Sequence, residues 1–94
     1  MKELTRLRED IDRLDDALVD LLARRFTICH EVAAYKLAHD IPVVLPERIE
    51  QVKQRCAERG VALGLDQAFM TTLYTLIIER TCETEREVQA TLAR

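Results

Sequence analysis

Arg25 and Lys36 stand eleven residues apart in the stretch LLARRFTICHEVAAYK, residues 21–36, which otherwise reads as an amphipathic helix. Eleven residues make about three helical turns, so the two cations share a face about 16 Å apart along the axis. That separation suits a small dianion held from both ends. Leu4, Leu7, Ile11, Leu14, Leu18 and Leu21 recur in steps of three and four, the next place falls to Arg25, and the stripe resumes with Ile28 and Val32. Ile77, Thr81, Glu85 and Val88 repeat the anomaly, with a hydroxyl and a carboxyl set in an apolar row. Taken singly, each has an ordinary explanation as a stripe-edge residue or half of an ion pair. Together they are four polar groups on apolar faces, and buried charges need partners. A bound anion would supply them.

Arg8 lies seventeen residues before Arg25, which turns it by about 100° from that face and sets it about 25 Å away. Within one chain it cannot reach the same small ligand; in an antiparallel dimer, the Arg8 of a second copy can. The cations are biased, with eleven arginines against three lysines, and arginine is the better fork for a planar carboxylate.

The remaining composition narrows the function classes. A net charge of −3 argues against nucleic acid as a partner. No apolar run approaches the roughly 20 residues that span a bilayer, and no signal-peptide pattern opens the chain, so no membrane partner and a cytoplasmic location are expected. Cys29, Cys56 and Cys82 are odd in number and far apart, which fits small core residues in a reducing compartment. His30 and His39 lack ligand spacing to each other or to the cysteines, and no metal site or cofactor is expected.

These side chains must be positioned by helices. The 94 residues suit a single domain over 1–94, hydrophobic residues are 48% and charged residues 33%, and glycine and proline number only two each. The first helix runs from about Glu3 to His39 and ends at DIPVVLPE, where Pro42 and Pro46 disfavour helix just before them. Pro46 suits the first turn of a second helix, with Ile49, Val52 and Cys56 on one face and a stop at Gly60. Asp66 is the N-cap expected for a third helix reaching Leu92, with Leu65 and Met70 spaced as a hydrophobic staple. Its stripe reads Phe69, Leu73, Ile77, Thr84 and Val88.

Helix length then bears on assembly. A helix of about 36 residues is about 54 Å long, whereas a compact chain of this size has a radius of gyration of about 12 Å. The first helix would project from a monomer with its apolar stripe wet. A symmetric, intertwined homodimer is the expected architecture.

The stretches LREDIDRLDDALVDLLARR, EVAAYK, IPVVLPER and LIIERTCETE, with the ordered set Arg8, Arg25, Lys36, Arg48, Thr81 and Glu85, resemble the all-α chorismate mutase family over essentially the whole chain. The resemblance implies an all-α fold, a three-helix chain paired into an intertwined homodimer. It implies two active sites, each borrowing Arg8 from the other subunit. It further implies that Arg8 and Arg25 grip two carboxylates, that Lys36 contacts a carboxylate and the ether oxygen, and that Arg48 supports the ring side. Thr81 would bond a carboxylate, and Glu85 would face the ether oxygen opposite Lys36. The activity implied is the rearrangement of chorismate to prephenate, an isomerisation in chorismate metabolism and aromatic amino acid biosynthesis that needs no nucleophile, metal or cofactor.

Two positions depart from the family pattern. Glu85 replaces the glutamine of many bacterial members, although fungal members carry glutamate. Ile49 stands where typical members carry a glutamate that binds the ring hydroxyl of chorismate, a feature shared with isochorismate pyruvate-lyases and with mutases acting on 4-amino-4-deoxychorismate. The substrate is therefore expected to be a chorismate-like dicarboxylate, chorismate itself or its 4-amino analogue. An isochorismate pyruvate-lyase giving salicylate and a catalytically silent helical dimerisation module are the competing readings. A chain of this length leaves little room for a regulatory domain, so inhibition by an aromatic amino acid is not expected.

Overall fold

The computed structural model describes residues 1–94 as three helices: α1 (Lys2–Ala38), α2 (Pro46–Ala62) and α3 (Gln67–Leu92). All peptide bonds are trans. No helix is long and apolar enough to cross a membrane.

Each boundary has a local cause. Asp66 caps α3, its Oδ2 accepting from the Phe69 amide at 2.8 Å. Pro46 occupies the first turn of α2, where its missing N–H costs nothing. Two helices end in the same left-handed device. After α1, Asp40 adopts φ +54° and the Ile41 amide reaches back to the Lys36 carbonyl at 2.9 Å. After α2, Gly64 adopts φ +88° while the amides of Leu65 and Gly64 bond the carbonyls of Gly60 and Val61 at 2.9 and 3.0 Å. The second helix thus passes the expected stop at Gly60 and ends two residues later. Gly60 is buried inside the helix for another reason: a Cβ there would lie 2.7 Å from Met70 Cγ. It lets α2 approach α3 closely, and Gly64 ends the helix.

Both α1 and α2 pack on α3 and not on each other. The contacts bury Cys29 and Ala33 of α1, Val52 and Ala57 of α2, and Met70 and Ile78 of α3. The buried face of α3 sits about one position round from the expected stripe. Met70, Ile78, Thr84 and Glu85 are inside, whereas Phe69 is exposed. All three cysteines are free, Cys29 buried and the other two half-buried.

The first half of α1 has no neighbour. Leu7, Ile11, Leu14, Leu18 and Leu21 are all exposed, Leu14 to 70%. The chain measures 56 × 27 × 14 Å with a radius of gyration of 16.9 Å, against about 12 Å for a compact chain of its length. It exposes 7416 Å², where a compact monomer of its mass exposes about 5,600 Å². An apolar stripe of this length left in water is the surface of an assembly, since monomeric proteins rarely carry one.

Candidate active site

Because α1 and α2 meet α3 on different sides, a cleft of about 320 Å³ opens between them over the middle of α3. From α1 it is lined by Arg25 and Lys36 with Ile28, Cys29 and Val32 between them. The helical spacing that puts both cations on one face also puts this apolar floor between them. From α3 come Ile78, Thr81, Cys82 and Glu85. The third side is Val43 and Leu45 of the connecting segment, continued by Arg48, Ile49 and Val52 of α2. A larger depression of about 750 Å³ runs along α2 from Leu45 to Gln54. It is open, involves only the start of that one helix, and gathers none of the α1 or α3 groups.

Six of the seven residues singled out in the sequence therefore line one cleft: Arg25, Lys36, Arg48, Ile49, Thr81 and Glu85. Arg8 does not; it is exposed on the projecting half of α1, about 25 Å along the helix from Arg25.

The polar groups are held in two sets. Arg25 Nη1 donates to Thr81 Oγ1 at 2.7 Å, and Thr81 donates its own proton to the Ile77 carbonyl at 2.8 Å. Arg25 Nη1 also leans on Cys29 Sγ at 3.9 Å. In the second set Lys36 Nζ lies 2.8 Å from Glu85 Oε1 and donates to the Val43 carbonyl at 2.9 Å. The Lys36 side chain is 13% exposed and that of Glu85 only 5%. The lysine approaches Glu85 at the wrong angle for a hydrogen bond, so Oε1 is buried without one. The two observations agree once the contact is taken as a coulombic pair: the charge is compensated, while the acceptor is not. Burial without a donor costs about 1–3 kcal/mol, which marks this oxygen as built for a partner. Arg48 is exposed and donates to Gln51 Oε1 at 2.7 Å.

Tyr74 of α3 stands behind the cleft. Burial pushes its phenol above the ordinary value, and a hydrogen bond with the Cys56 thiol adds to this, while Arg25 and Arg55 pull the other way. It remains a neutral hydroxyl at physiological pH.

Sequence patterning did not single out Cys29, Val43, Leu45 or Cys82 as cleft residues. Cys29 carried a legible signal, four residues after Arg25 on the same stripe. Val43 and Leu45 lie in a segment without helical period, and only the folded course of the chain brings them to the cleft.

What the site offers is cationic grip along α1, a hydroxyl and a carboxyl on α3, and an apolar wall opposite. It has no nucleophile beside a base. Such an arrangement can orient a small dianion and stabilise charge on an oxygen lying between Lys36 and Glu85.

Residues 7–86 match the family described as chorismate mutase type II. A 4-amino-4-deoxychorismate mutase of Streptomyces venezuelae is 40% identical over 83 residues, which cover 88% of this chain and 81% of that protein. A second protein of that name, from Streptomyces pristinaespiralis, is 40% identical over 84 residues, covering 89% of this chain and 65% of the relative. A bifunctional chorismate mutase/prephenate dehydratase of Escherichia coli (strain K12) is 37% identical over 83 residues, 88% of this chain but only 22% of that protein.

Proposed function

The chain belongs to the chorismate mutase type II family, a family of isomerases, and we propose that it rearranges chorismate and 4-amino-4-deoxychorismate within a homodimer whose two sites each take Arg8 from the partner subunit. The observation that carries this reading is the Lys36–Glu85 pair, buried at the end of a cleft lined by Arg25 and Thr81, with one carboxyl oxygen lacking a donor.

The reaction breaks the ether C–O bond as a new C–C bond forms, within one molecule and through a cyclic transition state. No proton or group need pass through a covalent enzyme intermediate. Two tasks remain for the protein. It must hold the enolpyruvyl side chain over the ring, and it must stabilise negative charge growing on the ether oxygen. Arg25 and Arg8 of the partner subunit take the two carboxylates, bidentately where geometry allows. Thr81, already bonded to Arg25, adds its oxygen to the carboxylate site. Lys36 and a protonated Glu85 donate to the ether oxygen from opposite sides. Arg48 borders the ring.

Two facts support the dimer. The unpartnered stripe of α1 is continuous from Leu4 to Leu21, and the chain exposes about 1,800 Å² more than a compact monomer would. Twice that area falls within the range of obligate homodimer interfaces.

The test is direct. The purified protein is incubated separately with chorismate, 4-amino-4-deoxychorismate and isochorismate, and prephenate, its amino analogue and pyruvate are measured. Accelerated rearrangement of either of the first two is expected. Pyruvate release from isochorismate without rearrangement of the others would replace the isomerase with a lyase.

A further inference from the structure

The wall of the cleft opposite the cations has an unusual character for a site that takes a polar ring. Val43, Leu45, Ile49 and Val52 form it, and all four are apolar. Arg48 is its one charged member, and that side chain is exposed and already bonded to Gln51. The nearest backbone acceptor, the Val43 carbonyl, is occupied by Lys36 Nζ at 2.9 Å. No carboxylate, amide or hydroxyl side chain stands on this wall.

The same hydrogen bond fixes where the wall lies. It brings the connecting segment against the Lys36 end of the cleft, where the ether oxygen sits if the protein is the isomerase proposed. Carbon 4 of the ring is the neighbour of the ether-bearing carbon, so its substituent points toward Val43, Leu45 and Ile49. We infer that this wall is a permissive subsite: the enzyme acts on cyclohexadiene dicarboxylates of the chorismate type with little regard to whether carbon 4 carries a hydroxyl, an amino group or only hydrogen.

The physical ground is an asymmetry in how sites discriminate. A site built to bond a substrate hydroxyl or amine rejects an analogue lacking it by about 10⁴–10⁵-fold, because its own buried polar groups are left unpaired. A wall without such groups has nothing to leave unpaired. It therefore gains little from the substituent and loses little without it, and selection between hydroxyl and amine must come from elsewhere. Ile49 and Leu45 set this permissiveness, because they lie one helical turn apart at the start of α2 and face the ring together.

The inference rests on the isomerase reading, and one set of assays separates the two. The intact protein is given chorismate, 4-amino-4-deoxychorismate and a 4-deoxy analogue, and each kcat/KM is divided by that compound's uncatalysed rearrangement rate. The expected result is three values within about tenfold of one another. In the Ile49→Glu variant the 4-deoxy analogue is expected to fall behind chorismate by more than tenfold, since a buried carboxylate then lacks a partner. Acceleration of the first two compounds with the 4-deoxy analogue a hundredfold or more behind in the wild type would overturn the permissive subsite and leave the isomerase reading intact. Acceleration of none of the three would remove both. The wild-type comparison is sufficient by itself, so it decides between these outcomes even if the variant fails to fold.

Discussion

Arg25 Nη1 donates to Thr81 Oγ1 at 2.7 Å, across the interface between α1 and α3 and 56 residues apart in the chain. The hydroxyl is in turn committed to the Ile77 carbonyl, so its lone pair faces the guanidinium by construction. This ties the first carboxylate-binding cation to the third helix before any substrate arrives. Thr81→Val keeps the shape and removes the bond, which for a charged donor is worth about 1.5–3 kcal/mol. We expect kcat/KM to fall about tenfold to a hundredfold, mostly through KM. Thr81→Ser, which retains the oxygen, should recover most of it. Steady-state kinetics of the two variants make the check; equal KM in both would mean that Arg25 is held by other groups.

The dimer prediction follows from the wet stripe on α1. Light scattering at micromolar concentration should give about twice the chain mass. Mixing inactive Arg8→Ala and Arg25→Ala chains should recover activity, because one of the two sites in each mixed dimer keeps both arginines. A folded and active monomer at every concentration would remove the shared site.

Much of this architecture was legible in the sequence, and the shortfalls have physical reasons. Helical period and the scarcity of glycine and proline identify three helices, and the intrusion of Arg25, Lys36, Thr81 and Glu85 into apolar rows marks residues that line the same cleft. Gly60 misleads because glycine has two uses. It can end a helix through a left-handed residue, as Gly64 does, or let two helices touch, as Gly60 does against Met70. Phe69 misleads because a stripe on a helix of an oligomer can serve two partners, and period alone does not say which face meets the chain's own core. The apolar wall was only half visible. Ile49 lies on a helical face, whereas Val43 and Leu45 reach the cleft through a segment with no period to read.

The two left-handed caps predict opposite effects of glycine chemistry. Asp40 holds φ +54° at a price that glycine would not incur, so Asp40→Gly should stabilise by a few tenths to about 1 kcal/mol. Gly64→Ala should destabilise by about 1 kcal/mol, through backbone conformation alone, since nothing lies within 4 Å of the added Cβ. Denaturant melts at one fixed protein concentration are the measurement, because the stability of a dimer depends on concentration. Equal midpoints for all three proteins would mean that these ends fray before the helices unfold.

Ile49 predicts how chorismate itself binds. With no carboxylate at this place, a hydroxyl on carbon 4 lacks a partner worth about 1 kcal/mol in net binding. Chorismate should therefore show a weak KM, and Ile49→Glu should improve it about fivefold. If that substitution left chorismate turnover flat or worse while the wild type released pyruvate from isochorismate, the ring would be facing another wall.

Glu85 predicts the pH profile. Its Oε1 sits 2.8 Å from Lys36 Nζ without a hydrogen bond, in a side chain only 5% exposed. An ionised carboxylate beside the ether oxygen would oppose the charge that grows there, and it has no proton to give. The protonated form has one, and protonation also releases Lys36 from the pair to act on the same oxygen. The sign follows: activity is full where Glu85 carries its proton and falls as pH rises and the proton is lost. Arg25 and Lys36 on α1 and Arg48 on α2 keep their charge through that range, so the decline belongs to the carboxyl. Glutamine donates a similar hydrogen bond at every pH. Glu85→Gln should thus keep activity at neutral pH and flatten the alkaline decline, while Glu85→Ala should lose activity by about 10²–10³-fold at all pH values, the cost of one donor to a developing oxyanion. The profile of kcat/KM from about pH 5 to 9, recorded for all three proteins, makes the check. A flat wild-type profile that glutamine does not alter would mean that Glu85 does not meet the ether oxygen.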